Sequence, residues 1–116
     1  DIAEISEYVN NSSVHYGESI KKMAETAVLM MANSVDSFIR NDTGLAEKVI
    51  ALDDVMDNLF TEVKSQVTES LKEGVEDAEA LLDIVMIAKY FERIGDHAEN
   101  IAEWVIYSLD TKGKVE

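Results

Sequence analysis

The sequence predicts an all-α protein, built as an up-down-up bundle of three helices. Three observations indicate this fold. Apolar residues recur at helical spacing in three long blocks, polar stretches containing Gly44, Gly74 and Gly113 end those blocks, and no proline interrupts them. No segment keeps the alternation of apolar and polar residues that marks a strand. We assign residues 11–116 to the bundle and residues 1–10 to the end of a preceding helix.

The first helix is predicted from about Ser13 to Arg40, with Asn11 or Ser12 as its N-cap. One face carries the residues expected in the core, which are Met23, Ala27, Met30, Met31, Ser34, Phe38 and Ile39.

The second helix is predicted from about Gly44 to Leu71, with Asp42 or Thr43 as its cap. Its apolar residues follow a near-heptad pattern, formed by Leu45, Val49, Leu52, Met56, Leu59, Val63 and Val67.

The third helix is predicted from about Asp77 to Leu109, with Lys112 and Gly113 ending it. Its core face comprises Leu81, Ile84, Val85, Ala88, Phe91, Gly95, Ala98, Ala102, Val105 and Leu109. The connections are short, so successive helices should be antiparallel neighbours.

The composition restricts the partners. With 24 acidic and 10 basic residues, the formal charge is −14, which disfavours nucleic acid and anionic lipid and favours cations or basic protein surfaces. The absence of cysteine excludes disulfides, thiolate zinc sites and cysteine nucleophiles. We find no apolar run long enough to span a membrane and no export signal at the start, and therefore expect a soluble chain.

Two pairs of acids stand at i, i+4 spacing on different helices. Asp53 and Asp57 flank the apolar stripe of the second helix. The third helix carries a similar flank stripe, formed by Glu92, Asp96, Glu99 and Glu103. The flanks of neighbouring helices meet at the rim of a bundle, so the pairs could converge around a hard cation such as Mg²⁺, Ca²⁺, Mn²⁺ or Fe³⁺. The alternative is a solvated acidic face. Gly95, inside the helix, fits either a site or close helix packing.

Other residues give weaker signals. His15 and His97 have no serine, cysteine or aspartate at a spacing that suggests catalysis. Tyr90, Trp104 and Tyr107 on the last helix suggest packing against a neighbouring repeat or subunit. A short internal match between residues 1–4 (DIAE) and residues 100–103 (NIAE) suggests that the chain begins in the last turns of an earlier, similar repeat.

The stretch from Ala88 to Tyr107, AKYFERIGDHAENIAEWVIY, resembles the signature of the PhoU family of phosphate-transport accessory proteins, which runs close to KYLERIGDHATNIAEWVIY. A second stretch, LDDVMDNL over residues 52–59, is similar to the family's LDDEVDELY. Family members contain two three-helix repeats, so the resemblance implies that this chain covers the second. Glu99 departs from the usual Thr and Phe91 from the usual Leu.

The resemblance also implies a metal site. The family's E(D)-x-x-x-D motifs bind metal ions, and the matching residues here are Asp53, Asp57, Glu92 and Asp96, with Asn100 as a weaker candidate. Iron is the metal implied, with manganese, magnesium or zinc as alternatives.

The implied function is that of a nonenzymatic regulator of phosphate uptake and phosphate signalling. Such a protein is cytoplasmic, links a phosphate ABC transporter to a sensor histidine kinase, and is peripheral to the membrane through these proteins. We also expect a homo-oligomer, because a single repeat exposes the apolar face that would meet its sister repeat. Two alternatives stay open: a helical interaction domain without metal, and a carboxylate-bridged di-metal oxidoreductase. The latter normally uses Glu-x-x-His, whereas Gly95 stands three residues after Glu92.

Overall fold

The computed structural model describes residues 14–74 and 77–115, and the side chains of residues 17–74 and 77–109. These residues form three α-helices, α1 (Val14–Arg40), α2 (Thr43–Lys72) and α3 (Ala78–Val115). Each helix packs against both others, in a bundle of 63 × 24 × 18 Å. The predicted all-α three-helix bundle is confirmed. The helix tail predicted for residues 1–10 and the N-caps Asn11 and Ser12 lie outside the described residues.

Asp42 lies between α1 and α2 and forms a hydrogen bond with each helix. Asn41 adopts the left-handed conformation, with φ of 54°, and this allows the Asp42 N–H to donate to the Ser37 carbonyl at 3.0 Å, which closes α1. The Asp42 carboxylate accepts from the Leu45 N–H at 3.1 Å and so caps α2. The expectation that Asp42 caps this helix is confirmed.

The second connection uses a glycine to leave α2. Gly74 has φ of 79°, and its N–H donates to the Leu71 carbonyl at 3.1 Å. The Asp77 carboxylate then accepts from the Ala80 N–H at 3.0 Å, which starts α3. The predicted end of α3 at Lys112 and Gly113 is wrong, because the helix continues to Val115. A glycine weakens a helix by about 1 kcal/mol but ends it only where the backbone changes conformation.

The core follows the near-heptad stripe of α2 and the matching face of α3, as predicted. On α1 the prediction fails at Phe38 and Ile39, which are 60% and 68% exposed, whereas Ser37 is buried. The rotation of α1 turns the last two apolar residues outward. Ser34 and Ser37 tolerate burial because their hydroxyls donate to the carbonyls of Met31 and Ser34. The buried apolar residues are Met23, Ala27, Met30, Ala46, Val49, Met56, Leu59, Val63, Val67, Leu81, Ile84, Ala88, Ala98, Ala102 and Val105.

Gly95 lies where all three helices meet. A Cβ atom built there would lie 3.4 Å from the Met30 Sδ on α1 and 3.5 Å from the Met56 Cγ on α2. Both are close to ordinary van der Waals distances, and methionine side chains are flexible. Gly95 therefore permits close packing, but an alanine would fit in the same space.

The outer face of α3 carries aromatic side chains. Tyr90, Trp104 and Tyr107 are each more than half exposed in this bundle. Their predicted packing against another repeat or subunit stays a prediction. No described helix combines the length and apolar character needed to cross a lipid bilayer.

We predict that Gly95→Ala leaves the melting temperature unchanged or raises it. Alanine favours the helix over glycine by up to about 1 kcal/mol, and the added methyl group meets only adaptable methionine atoms. Thermal unfolding followed by circular dichroism measures the effect. Gly95→Val is the matched control, and its larger side chain should lower the melting temperature by overpacking. A clear loss of stability in Gly95→Ala would contradict the packing described here.

Candidate metal centre

The acids predicted to converge do lie on facing sides of α2 and α3. Asp53 falls between the buried Val49 and Met56 on the core stripe of α2, and this placement buries it: only 9% of its surface is exposed. Because α2 and α3 run antiparallel, Asp53 lies near Asp96, while Asp57 lies further along the cleft, near Glu92.

Three carboxylates form the tightest part of this cleft. Asp53, Asp96 and Glu99 each place one oxygen within 4.8 Å of those of the other two. Glu99 is half-buried and Asp96 is exposed. We call this group the carboxylate triad.

The buried oxygen of the triad has no donor. The Oδ1 atom of Asp53 meets no hydrogen-bond donor, and among the described side chains only the Gln66 Oε1 shares this condition. A buried acceptor without a partner costs about 1–3 kcal/mol, and more when it is charged. The buried Asp53 carboxylate therefore destabilises the fold, and a positive group beside it would remove this cost.

Burial and mutual repulsion raise the pKa values of the triad. Desolvation and the charge of Asp53 raise the pKa of Glu99 to about 7 from its ordinary 4.5. The pKa of Asp53 is also raised, chiefly by burial and then by the charges of Asp57 and Asp96, although a hydrogen bond donated by protonated Glu99 opposes this. The two carboxyl groups thus tend to share a proton when no cation is present.

The second part of the cleft is the pair formed by Asp57 and Glu92. Burial, followed by the charges of Glu92 and Asp96, raises the pKa of Asp57. Glu92 differs from the triad because it has a counter-charge: the Lys89 Nζ lies 2.8 Å from its Oε1. The same ammonium lies 5.2 Å from the centre of the Phe60 ring, and this cation–π contact holds it at the edge of the cleft.

The structure brings together Asp53, Asp57, Glu92 and Asp96, the four acids singled out in the sequence. Asn100 is exposed one turn beyond Asp96, and its role as a ligand stays a prediction. Glu99 was predicted to lie in the acidic stripe of α3 but was not among the predicted ligands. Its position three residues after Asp96 places both acids on one side of α3.

The donor set fits the metal ions implied by the motif. All the converging ligand atoms are carboxylate oxygens, and the described part of the cleft contains no histidine, since His97 is exposed. Oxygen ligands suit Mg²⁺, Ca²⁺, Mn²⁺ and Fe³⁺ better than they suit zinc at a closed structural site. A cation held here would neutralise the repulsion among the acids.

The fold and cleft define a helical-bundle protein with a carboxylate-lined groove between two antiparallel helices. The sequence model of the PhoU domain family matches residues 20–105 of this chain. This range includes every acid of the cleft. The chain belongs to the PhoU family.

Curated relatives agree with this assignment. The chain is 38% identical over 96 residues to the phosphate-specific transport system accessory protein PhoU homolog of Pseudomonas aeruginosa, an alignment that covers 80% of this chain and 36% of that protein. It is 30% identical over 109 residues to PhoU homolog 1 of Thermotoga maritima, covering 92% of this chain and 47% of that protein.

The PhoU homolog of Borreliella burgdorferi is 30% identical over 92 residues, with 79% of this chain and 41% of that protein covered. The chain thus spans less than half the length of these relatives. No solved structure matches it significantly.

We predict that the metal-free protein loses stability as the pH rises from about 5 to about 8. The pKa of Glu99 is higher in the folded state, so the folded protein binds more protons than the unfolded one between the ordinary pKa of 4.5 and about 7. Stability is therefore greatest below that interval and falls through it. Urea unfolding at several pH values in the presence of a chelator measures this slope.

Glu99→Gln provides the control for this slope. Glutamine cannot ionise, so the variant should lose less stability over the same interval and should be more stable than the wild type at about pH 8. A free energy of unfolding that rises with pH across this interval in the wild type would contradict the described electrostatics.

Proposed function

We propose that this protein is a nonenzymatic, metal-binding regulator of phosphate uptake and phosphate-responsive signalling. In this proposal it acts at the cytoplasmic side of the membrane and links a phosphate ABC transporter to a sensor histidine kinase. The relatives named as accessory proteins of the phosphate-specific transport system support the transport role. The motif resemblance over residues 88–107 supports the kinase link and the location.

The observation that carries the metal-binding part is the meeting of carboxylates from two helices. Asp53 is buried with an oxygen that has no donor, and Asp96 and Glu99 stand across from it on α3. Like charges at this separation repel, and burial strengthens the repulsion. A hard cation removes this cost and uses oxygen atoms that the fold already supplies.

Metal binding would also change the surface offered to partners. Without a cation the α2–α3 cleft presents several carboxylates whose repulsion works against a fixed arrangement. A bound cation would fix these side chains and reduce the local negative charge. The resulting ordered edge is suited to recognition by a partner protein, in keeping with a regulatory role.

Self-association is part of the proposal. Exposed apolar side chains follow the outer face of α3, where Trp104 and Tyr107 lie on the same side as Leu82 and Met86. A monomer rarely leaves so many large apolar groups in water on one face. Packing against a second copy or a sister repeat would cover them.

An oxidoreductase is not proposed. The residue three positions after Glu92 is Gly95, where a Glu-x-x-His site needs a histidine. His97 points to solvent on α3. The relatives are named accessory proteins, which agrees with a nonenzymatic role.

We predict that the double variant E92Q/D96N binds less metal than the wild type. The two substitutions remove one charge from each part of the cleft while keeping side-chain size. Elemental analysis of the purified protein and calorimetric titration with Mn²⁺ measure the stoichiometry and affinity.

The matched control for metal binding is E69Q/E73Q. Glu69 and Glu73 also stand at i, i+4 spacing and are exposed near the end of α2, away from the cleft. This variant has the same change in net charge and should bind metal as the wild type does. Equal metal content in E92Q/D96N and the wild type would contradict the proposed metal site. A helical interaction domain without metal would then be the better explanation.

We predict that cells lacking the protein take up phosphate even when phosphate is plentiful, because the repressing link is lost. Expression of the wild type or of E69Q/E73Q should restore repression, and E92Q/D96N should restore it less well. Uptake of radiolabelled phosphate measures the effect. If deletion leaves uptake unchanged in phosphate-rich medium, the regulatory role is wrong even where metal binding holds.

A further inference from the structure

We propose that Glu99 completes a cation position of its own with Asp53 and Asp96, and that this carboxylate triad takes a hard divalent or trivalent cation before the Asp57–Glu92 pair does. This inference rests on the proposed metal binding. It adds Glu99 as a ligand beyond the paired acids. It also states which part of the cleft binds a cation first.

The spacing of the triad suits one shared ion. Cations with oxygen ligands lie about 2.0–2.6 Å from each ligand atom, so two oxygens on one ion are separated by at most about twice that distance. The three oxygens of Asp53, Asp96 and Glu99 all lie within 4.8 Å of one another. One ion can therefore contact all three side chains with little movement of the helices.

The buried oxygen of Asp53 points independently to a ligand. Asp53 is more than nine-tenths buried, and its Oδ1 meets no donor. Proteins seldom keep a buried carboxylate oxygen without a hydrogen bond, a counter-charge or a metal ion. A cation bound between Asp53, Asp96 and Glu99 would supply the missing partner.

The order of filling follows from Lys89. Its ammonium already neutralises Glu92 at 2.8 Å and is held by the face of Phe60. A cation that binds between Asp57 and Glu92 must displace this lysine or share the carboxylate with it. Within the described part of the chain, no lysine or arginine forms a salt bridge with a triad member, so the triad attracts a cation without such competition.

Glu99 also adds a third carboxyl group to the position. The triad offers carboxyl oxygens from two helices to one ion. Mg²⁺ usually keeps several waters and binds through one or two carboxylates. Three carboxylates within reach of one ion instead favour a cation that exchanges its waters more readily, and Mn²⁺ is therefore the probe for the test.

The test is calorimetric titration of the metal-free protein with Mn²⁺ at about pH 8. We expect Glu99→Gln to weaken the first binding event at least about tenfold, the lower end of the loss seen even for groups that only support a metal ligand. Glu69→Gln is the matched control. It removes one exposed charge near the end of α2, away from the cleft, and should change that affinity by less than about threefold, since solvent screens it.

The variant Asp57→Asn tests the order of filling. Because the charge of Asp57 also acts on Asp53, the variant should weaken the first event somewhat, but less than Glu99→Gln does, and it should weaken a later event more. A first event as tight in Glu99→Gln as in the wild type, or one weakened more by Asp57→Asn than by Glu99→Gln, overturns the inference. Absence of Mn²⁺ binding by the wild type would instead defeat the proposed metal binding itself. Circular dichroism of each metal-free variant shows whether it is folded, so loss of folding would not mimic the result.

Discussion

Repulsion among carboxylates held between α2 and α3 is the constraint on which the rest of this structure depends. Asp53 is buried beside Asp96 and Glu99, and the raised pKa values of Asp53 and Glu99 express the cost. A fold that keeps such groups together must compensate with packing elsewhere, and a functional cation offers the most direct relief. In the absence of a cation, the cleft therefore holds acids whose repulsion weakens the fold.

The compensation comes from the packing of three long helices. The apolar stripe of α2 continues on both sides of Asp53, through Val49 and Met56, so the acid is carried into the interior by its neighbours. Gly95 brings α3 close to Met30 and Met56, directly beside the acids. The same close approach that fills the core thus sets the distance between the carboxylates.

The two parts of the cleft differ in their counter-charges. Lys89 bridges Glu92 and the ring of Phe60, so one part carries its own positive group while the triad has its charge balanced only by protons or a cation. The cleft therefore has one part whose negative charge is partly neutralised by a lysine and another part whose negative charge is not.

The sequence by itself determined the helices, the cap at Asp42, the core stripe of α2 and the two i, i+4 acid pairs, because each depends on spacing along one chain segment. The motif also indicated the family. Only the tertiary structure decided that Glu99 comes within reach of Asp53, that Lys89 lies over the Phe60 ring, and that Phe38 and Ile39 face solvent. These outcomes depend on how each helix is rotated against its neighbours, and packing of the whole core sets that rotation.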